Sequence, residues 1–167
     1  MFSPLRVAQV ATAAGMTNLG AFDLRTGWNL DEGESRRIVE ETIDREKPWL
    51  VTMSPPCRML SALQNLTGSP RNPGQWIKDY KKAIGYVEWC MKLAEKQMAG
   101  GRLFVFEAPA TAKSWQIKAL VEFCRVHKLE LFIATTAGCG VGLTEPGTGL
   151  RFSKRWQFLG RLRRRPR

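Results

Sequence analysis

Pro48-Trp49-Leu50-Val51-Thr52-Met53-Ser54-Pro55-Pro56-Cys57 is the stretch that decides how this chain folds. Its first half is a short apolar run of bulky and β-branched side chains, the pattern of a buried strand. Its second half cannot continue a central strand, because each proline lacks the N–H that a sheet ladder needs. The backbone therefore turns at Ser54-Pro55-Pro56, and Cys57 falls just beyond the strand's carboxyl end. Open α/β sheets place their ligands at that end.

A second segment downstream repeats the design. Leu103 to Phe106 reads as a buried strand that ends in Glu107, with Ala108-Pro109 as the breaker. Between the two lie a loop, Gly68 to Gly74, and the clearest helix in the chain, Trp76 to Ala99. There Ile77, Tyr80, Ile84, Val87, Met91, Ala94 and Met98 recur every three or four residues, and Gly100-Gly101 supplies the stop. Strand, helix and strand in this order bring Cys57 and Glu107 to one rim of one sheet. A thiol beside a carboxyl group is a covalent-catalytic pair in reach of a substrate, whereas a lone Cys after a strand is otherwise a small buried hydrophobe.

The flanks extend the alternation. Val7 to Gly15 is an Ala-rich helix ended by glycine, Gly20 to Leu24 a short strand, and Thr26-Gly27 a turn. Ser35 to Lys47 is an amphipathic helix with Ile38, Val39, Thr42 and Ile43 on one face, stopped by Pro48. After Glu107, Ser114 caps a helix running to about His127, Leu129 to Ile133 is a further strand, and a glycine-rich loop, Gly138 to Gly149, leads to a last strand, Arg155 to Leu159. The expected fold class is α/β with a mostly parallel sheet, spanning residues 1–160 as one domain before a basic tail, 161–167.

Composition bounds the function classes. The chain has 167 residues, 44% hydrophobic and 25% charged, which excludes wholesale disorder and collagen-like repeats. No apolar run approaches the roughly 18 residues that cross a bilayer, and Met1 to Gly15 lacks the long apolar core of a secretory signal, so an intracellular, reducing setting is expected. Cysteines at 57, 90, 124 and 139 show no Cys-x-x-Cys spacing and there is one histidine, so no metal site is expected. The net charge of +11 is unevenly placed: eight basic residues and no acidic one follow Leu150, leaving +3 for residues 1–150. Such an arm suits phosphate backbones, or serves only as a solubilising tail.

The Pro48 to Ser61 segment resembles the Pro-Cys motif of the DNA cytosine-5 methyltransferases, in which an apolar strand leads to Pro-Pro-Cys and a serine follows a few residues later. Arg102 to Pro109 is similar to that family's second catalytic segment, a strand ending in Glu-Asn-Val, with Glu107 kept and Ala108-Pro109 in place of the last two. The resemblance covers roughly Phe22 to Gly160 in element order, and the Pro-Cys segment is its specific part.

The resemblance implies a Rossmann-like fold that binds S-adenosylmethionine, truncated at its first strand and lacking a target-recognition domain. It implies Cys57 as the nucleophile that adds to cytosine C6, so that C5 becomes enamine-like and accepts a methyl group. It implies Glu107 as the group that hydrogen-bonds N3 and the exocyclic amine, on a base that has left the duplex stack. Asp23 takes the place of the acidic residue on the cofactor ribose, Asn29 that of an adenine-contacting residue, and Ser54 and Pro55 line the cofactor side; Asp23 and Asn29 equally read as turn residues. Arg58, Arg151, Lys154, Arg155, Arg161, Arg163, Arg164 and Arg165 are the implied contacts to DNA, or to RNA in its place. The family's Phe-x-Gly-x-Gly loop is absent. Two further readings therefore stand beside the enzyme: a catalytically silent relative acting as a nucleic-acid-binding or assembly subunit, and an amino-methyltransferase with Cys57 where such enzymes carry an aromatic. A partner chain or second copy completing the site is part of the same expectation.

Overall fold

The computed structural model describes residues 4–61, 72–129, 131–135, 143–144, 151–152 and 155–160. The chain divides into two compact units, Met1–Trp49 and Leu50–Arg167.

In the first unit, helix α1 (Pro4–Ala13) ends where Gly15 adopts the left-handed conformation, φ 75°. The Gly15 and Met16 amides then reach back to the carbonyls of Thr12 and Ala11, both at 2.9 Å, which satisfies groups that a helix end leaves orphaned. The strand expected at Gly20 to Leu24 is not there. Leu24–Thr26 is a 3₁₀ turn instead, and the reason is local. Asp23 Oδ1 accepts the Arg25 amide at 2.9 Å, the Thr26 hydroxyl accepts the Asp23 amide at 3.0 Å, and Gly27 closes the turn at φ 88°. Side chains that bond their own backbone compete directly with a sheet ladder. Helix α2 (Gly33–Glu46) then buries Ser35, Val39 and Ile43, and Lys47 in the left-handed conformation ends it before Pro48.

In the second unit, β1 (Leu50–Met53), β2 (Leu103–Pro109), β3 (Leu131–Thr135) and β6 (Arg155–Gly160) form one sheet in the order β1-β2-β6-β3. A two-stranded ribbon, β4 (Leu143–Thr144) with β5 (Arg151–Phe152), stands apart. β1 and β2 are parallel, but β6 lies between β2 and β3 and runs antiparallel to both. The α/β class is therefore present, and the mostly parallel sheet is corrected to a mixed one. Parallel neighbours need a long crossover, usually a helix, as between β1 and β2. The described part of the β3–β6 connection contains only the ribbon, and the chain returns in the opposite direction.

Helix α3 (Pro73–Ala99) starts three residues earlier than its apolar stripe suggests, because Asn72 caps it by accepting the Gln75 amide at 3.0 Å and Pro73 fits the first turn. It packs on β1 and β2 and touches helix α4 (Lys118–His127). At its far end Gln97, fully buried, donates through Nε2 to the Leu103 carbonyl at 2.9 Å and accepts from Arg102 Nε at 2.7 Å, which locks the helix to the first residue of β2. The expected cap Ser114 sits one turn ahead of α4, in the 3₁₀ turn Lys113–Gln116. It is buried there, and its Oγ has no hydrogen-bond partner. The core forms around Phe104, Phe106, Val87, Ala94, Leu120 and Leu159, with Phe104 edge-on to Phe123 at 5.8 Å and Phe106 edge-on to Trp115 at 5.5 Å.

Gly160 pairs with Val105 at the centre of the sheet, where a Cβ would meet the Phe104 carbonyl oxygen at 2.8 Å. That neighbour is backbone in a paired strand and has little room to retreat. Gly160→Ala is expected to lower stability by about 1–3 kcal/mol, read as a fall in melting temperature; an unchanged melt would show that β6 has slack.

Candidate functional site

The site is built where β1 leaves the side of β2. β1 and β2 pair from Leu50 with Leu103 through Met53 with Phe106, so Ser54 and Glu107 are the next residues in register. Pro55 and Pro56 have no N–H to offer, and β1 leaves the sheet there. β2 does not stop at Phe106 as expected. It runs on to Pro109, because β6 pairs with Glu107, Ala108 and Pro109 on its other edge. Glu107 is thus held by a strand on one side and stands beside the end of β1 on the other.

Ser54 Oγ donates to Glu107 Oε1 at 2.5 Å, with both groups partly buried. Pro55 is buried and Pro56 exposed. Cys57 follows at φ −94° and ψ 0°, half-buried, and its carbonyl accepts the Leu60 amide at 3.0 Å to open the 3₁₀ turn Arg58–Leu60. Leu60, 1% exposed, anchors that turn, and α3 packs against it. The loop carrying Cys57 is therefore pinned at both ends, by the Ser54–Glu107 bond and by Leu60. Arg58 is exposed on the same turn.

No protein-family model, curated protein or solved structure matches the chain.

The other expected residues are distributed as follows. Asp23 and Asn29 belong to the first unit. Asp23 uses one carboxylate oxygen on the Arg25 amide, which leaves the chemistry of a ribose-binding carboxylate intact. Asn29 donates Nδ2 to Glu32 at 2.7 Å and accepts the Asp31 amide at 3.2 Å, so its amide is spent on its own turn and does not fit an adenine contact without giving up those bonds. Arg151 and Arg155 have their backbones in β5 and β6. Lys154, Arg161, Arg163, Arg164 and Arg165 lie outside the described residues. Of the remaining cysteines, Cys90 is buried on α3, burial pushes the Cys124 thiol up, and Cys139 lies outside the described residues. Among the described residues no cluster of His, Cys, Asp or Glu has the makings of a metal site, and no helix is long and apolar enough to cross a membrane.

Sequence reasoning placed Ser54 on the cofactor side, and its hydroxyl is the one that steadies Glu107. The signal was present in the register: the residue after the last paired position of one parallel strand sits beside its counterpart on the next.

Proposed function

We propose that the protein is an S-adenosylmethionine-dependent DNA cytosine-5 methyltransferase with a Rossmann-like body, in which Cys57 is the nucleophile and Glu107 the carboxylate that holds the target base. The observation that carries this reading is the Ser54–Glu107 hydrogen bond at the place where the parallel pairing of β1 with β2 ends. It puts the Pro-Pro-Cys turn and the glutamate on one rim, as the chemistry of a cytosine adduct requires.

Each residue then has a task. The Cys57 thiolate adds to C6 of a base taken out of the stack, since C6 is out of reach inside a duplex. Glu107 is oriented through Oε1 by Ser54, and its carboxyl group, once protonated, would donate its proton to N3 as the thiolate adds, so that the negative charge developing on the ring is neutralised, while a carboxyl oxygen accepts from the exocyclic amine. The exposed Arg58 sits one residue beyond the nucleophile, where a flanking phosphate would pass. S-adenosylmethionine would supply the electrophilic methyl group when bound.

The experiment is covalent trapping. Incubated with labelled S-adenosylmethionine and a duplex containing 5-fluorocytosine, the protein is expected to give a complex that survives denaturing electrophoresis. Absence of an adduct together with absence of cofactor binding by calorimetry would sink the enzyme reading. DNA binding without an adduct would support a catalytically silent nucleic-acid-binding or assembly subunit, which the internally bonded Asn29 favours.

A further inference from the structure

We propose that the first ten residues of α3, Pro73 to Lys82, form a rigid basic arm beside the catalytic rim that grips the phosphate backbone of DNA through Lys78 and Lys81. The proposal rests on the nucleic-acid reading above and assigns a contact surface that reading does not contain.

The length of α3 makes the case. The helix has 27 residues and so runs for about 40 Å. Its carboxyl end is fixed to the start of β2 by the Gln97–Leu103 bond, and it crosses between parallel strands, so it runs back along them toward the rim where β1 ends. From Leu103 to Glu107 the strand rises only about 13 Å, roughly nine residues of helix. The amino-terminal part of α3 therefore overshoots the rim that carries Ser54, Cys57 and Glu107. Burial limits the projecting part to the start of the helix: the Arg58–Leu60 turn packs against α3, Ala83 is its first buried residue, and none from Pro73 to Lys82 is buried.

A helix end with no buried residue of its own ordinarily frays. This one is reinforced along its own surface. Asn72 caps it, Pro73 presets its first turn, Gln75 Nε2 donates to Asp79 Oδ1 at 2.8 Å, and Trp76 stacks on Tyr80 with centroids 5.1 Å apart and planes 7° off parallel. Lys78, Lys81 and Lys82 are exposed at i, i+3 and i+4, which puts them on one face.

Charge identifies the occupant. Between Leu50 and Val87 there are five basic residues, Arg58, Arg71, Lys78, Lys81 and Lys82, and one acidic residue, Asp79, while residues 1–49 carry eight acidic and six basic ones. The excess positive charge of the body is thus gathered in the segment that runs from the nucleophile into the arm. A stiff helix with cationic side chains on one face suits a regular line of phosphates.

The test is the salt dependence of binding of the full chain to a fluorescein-labelled duplex of about 20 base pairs. Each lysine on a phosphate releases about one counterion, so Lys78→Gln/Lys81→Gln is expected to weaken binding and to flatten the plot of log K against log salt by about two. Lys78→Arg/Lys81→Arg is expected to retain the wild-type slope. Both positions are exposed, and circular dichroism melts should coincide with wild type. A wild-type slope in the glutamine variant would overturn the arm and leave the nucleic-acid reading standing. A wild-type chain that binds no duplex would overturn both.

Discussion

Cys57→Ala is expected to abolish the covalent 5-fluorocytosine complex and to lower methyl transfer by roughly 10³- to 10⁶-fold, the range set by loss of a nucleophile that starts the reaction. Little else should change. Cys57 is half-buried and outside the core, and the turn it opens is held by Leu60 and by backbone hydrogen bonds that alanine keeps. Melting temperature and duplex affinity are therefore expected to stay near wild type, which separates a chemical defect from a folding defect. Glu107→Gln provides the graded companion. It preserves shape and the bond to Ser54 while removing the charge, and a general acid–base or electrostatic role predicts a loss of about 10²- to 10⁴-fold. Methylation by Cys57→Ala at the wild-type rate would refute the assignment of the nucleophile.

Phe104→Ala is expected to cost about 3–5 kcal/mol, a large share of the roughly 5–15 kcal/mol that holds an ordinary domain together. Phe104 is 0% exposed, sits in β2 between β1 and β6, and meets Phe123 of α4 edge-on. Truncation removes the ring's transfer free energy and leaves a cavity that a four-stranded sheet and a helix cannot readily close. The expected signature is a midpoint shifted to much lower denaturant, with melting lowered by about 10 °C or more. Ile77→Ala is the control: Ile77 is 49% exposed on the projecting part of α3, and its loss should stay within about 0.5 kcal/mol. A Phe104→Ala protein as stable as the Ile77→Ala one would mean that the sheet core is not where these contacts place it.

The two variants probe different parts of one design. Phe104 and Phe106 point to the helix-covered face of β2, and Glu107 follows them on the opposite face at the rim. The same strand thus supplies core and chemistry by alternation. Its neighbour β6 extends support for Glu107 past the point where the prolines release β1. A paired strand and the Ser54 hydroxyl restrain Glu107, the preorganisation that the proposed role would need.

What the sequence by itself determined was local. The strand before Pro55-Pro56, the stop of α3 at Gly100, the end of α4 at His127 and the place of Cys57 beyond a strand follow from periodicity and from what proline, glycine and capping residues permit; burial did not follow, since Thr52 of β1 and Ile77 of the α3 stripe are exposed. Wherever a nearby side chain or a distant strand decided the outcome, the local pattern misled. Gly20 to Leu24 reads as a strand until Asp23 and Thr26 bond their own backbone, and β2 reads as ending at Phe106 until β6 pairs beyond it. The direction of β6 and its place between β2 and β3 depend on how the chain returns, which no window of residues encodes. Only the tertiary structure put Ser54 on Glu107 across 53 residues of chain. Register is a relation between elements, fixed by pairing and packing energies that act at long range in sequence and short range in space.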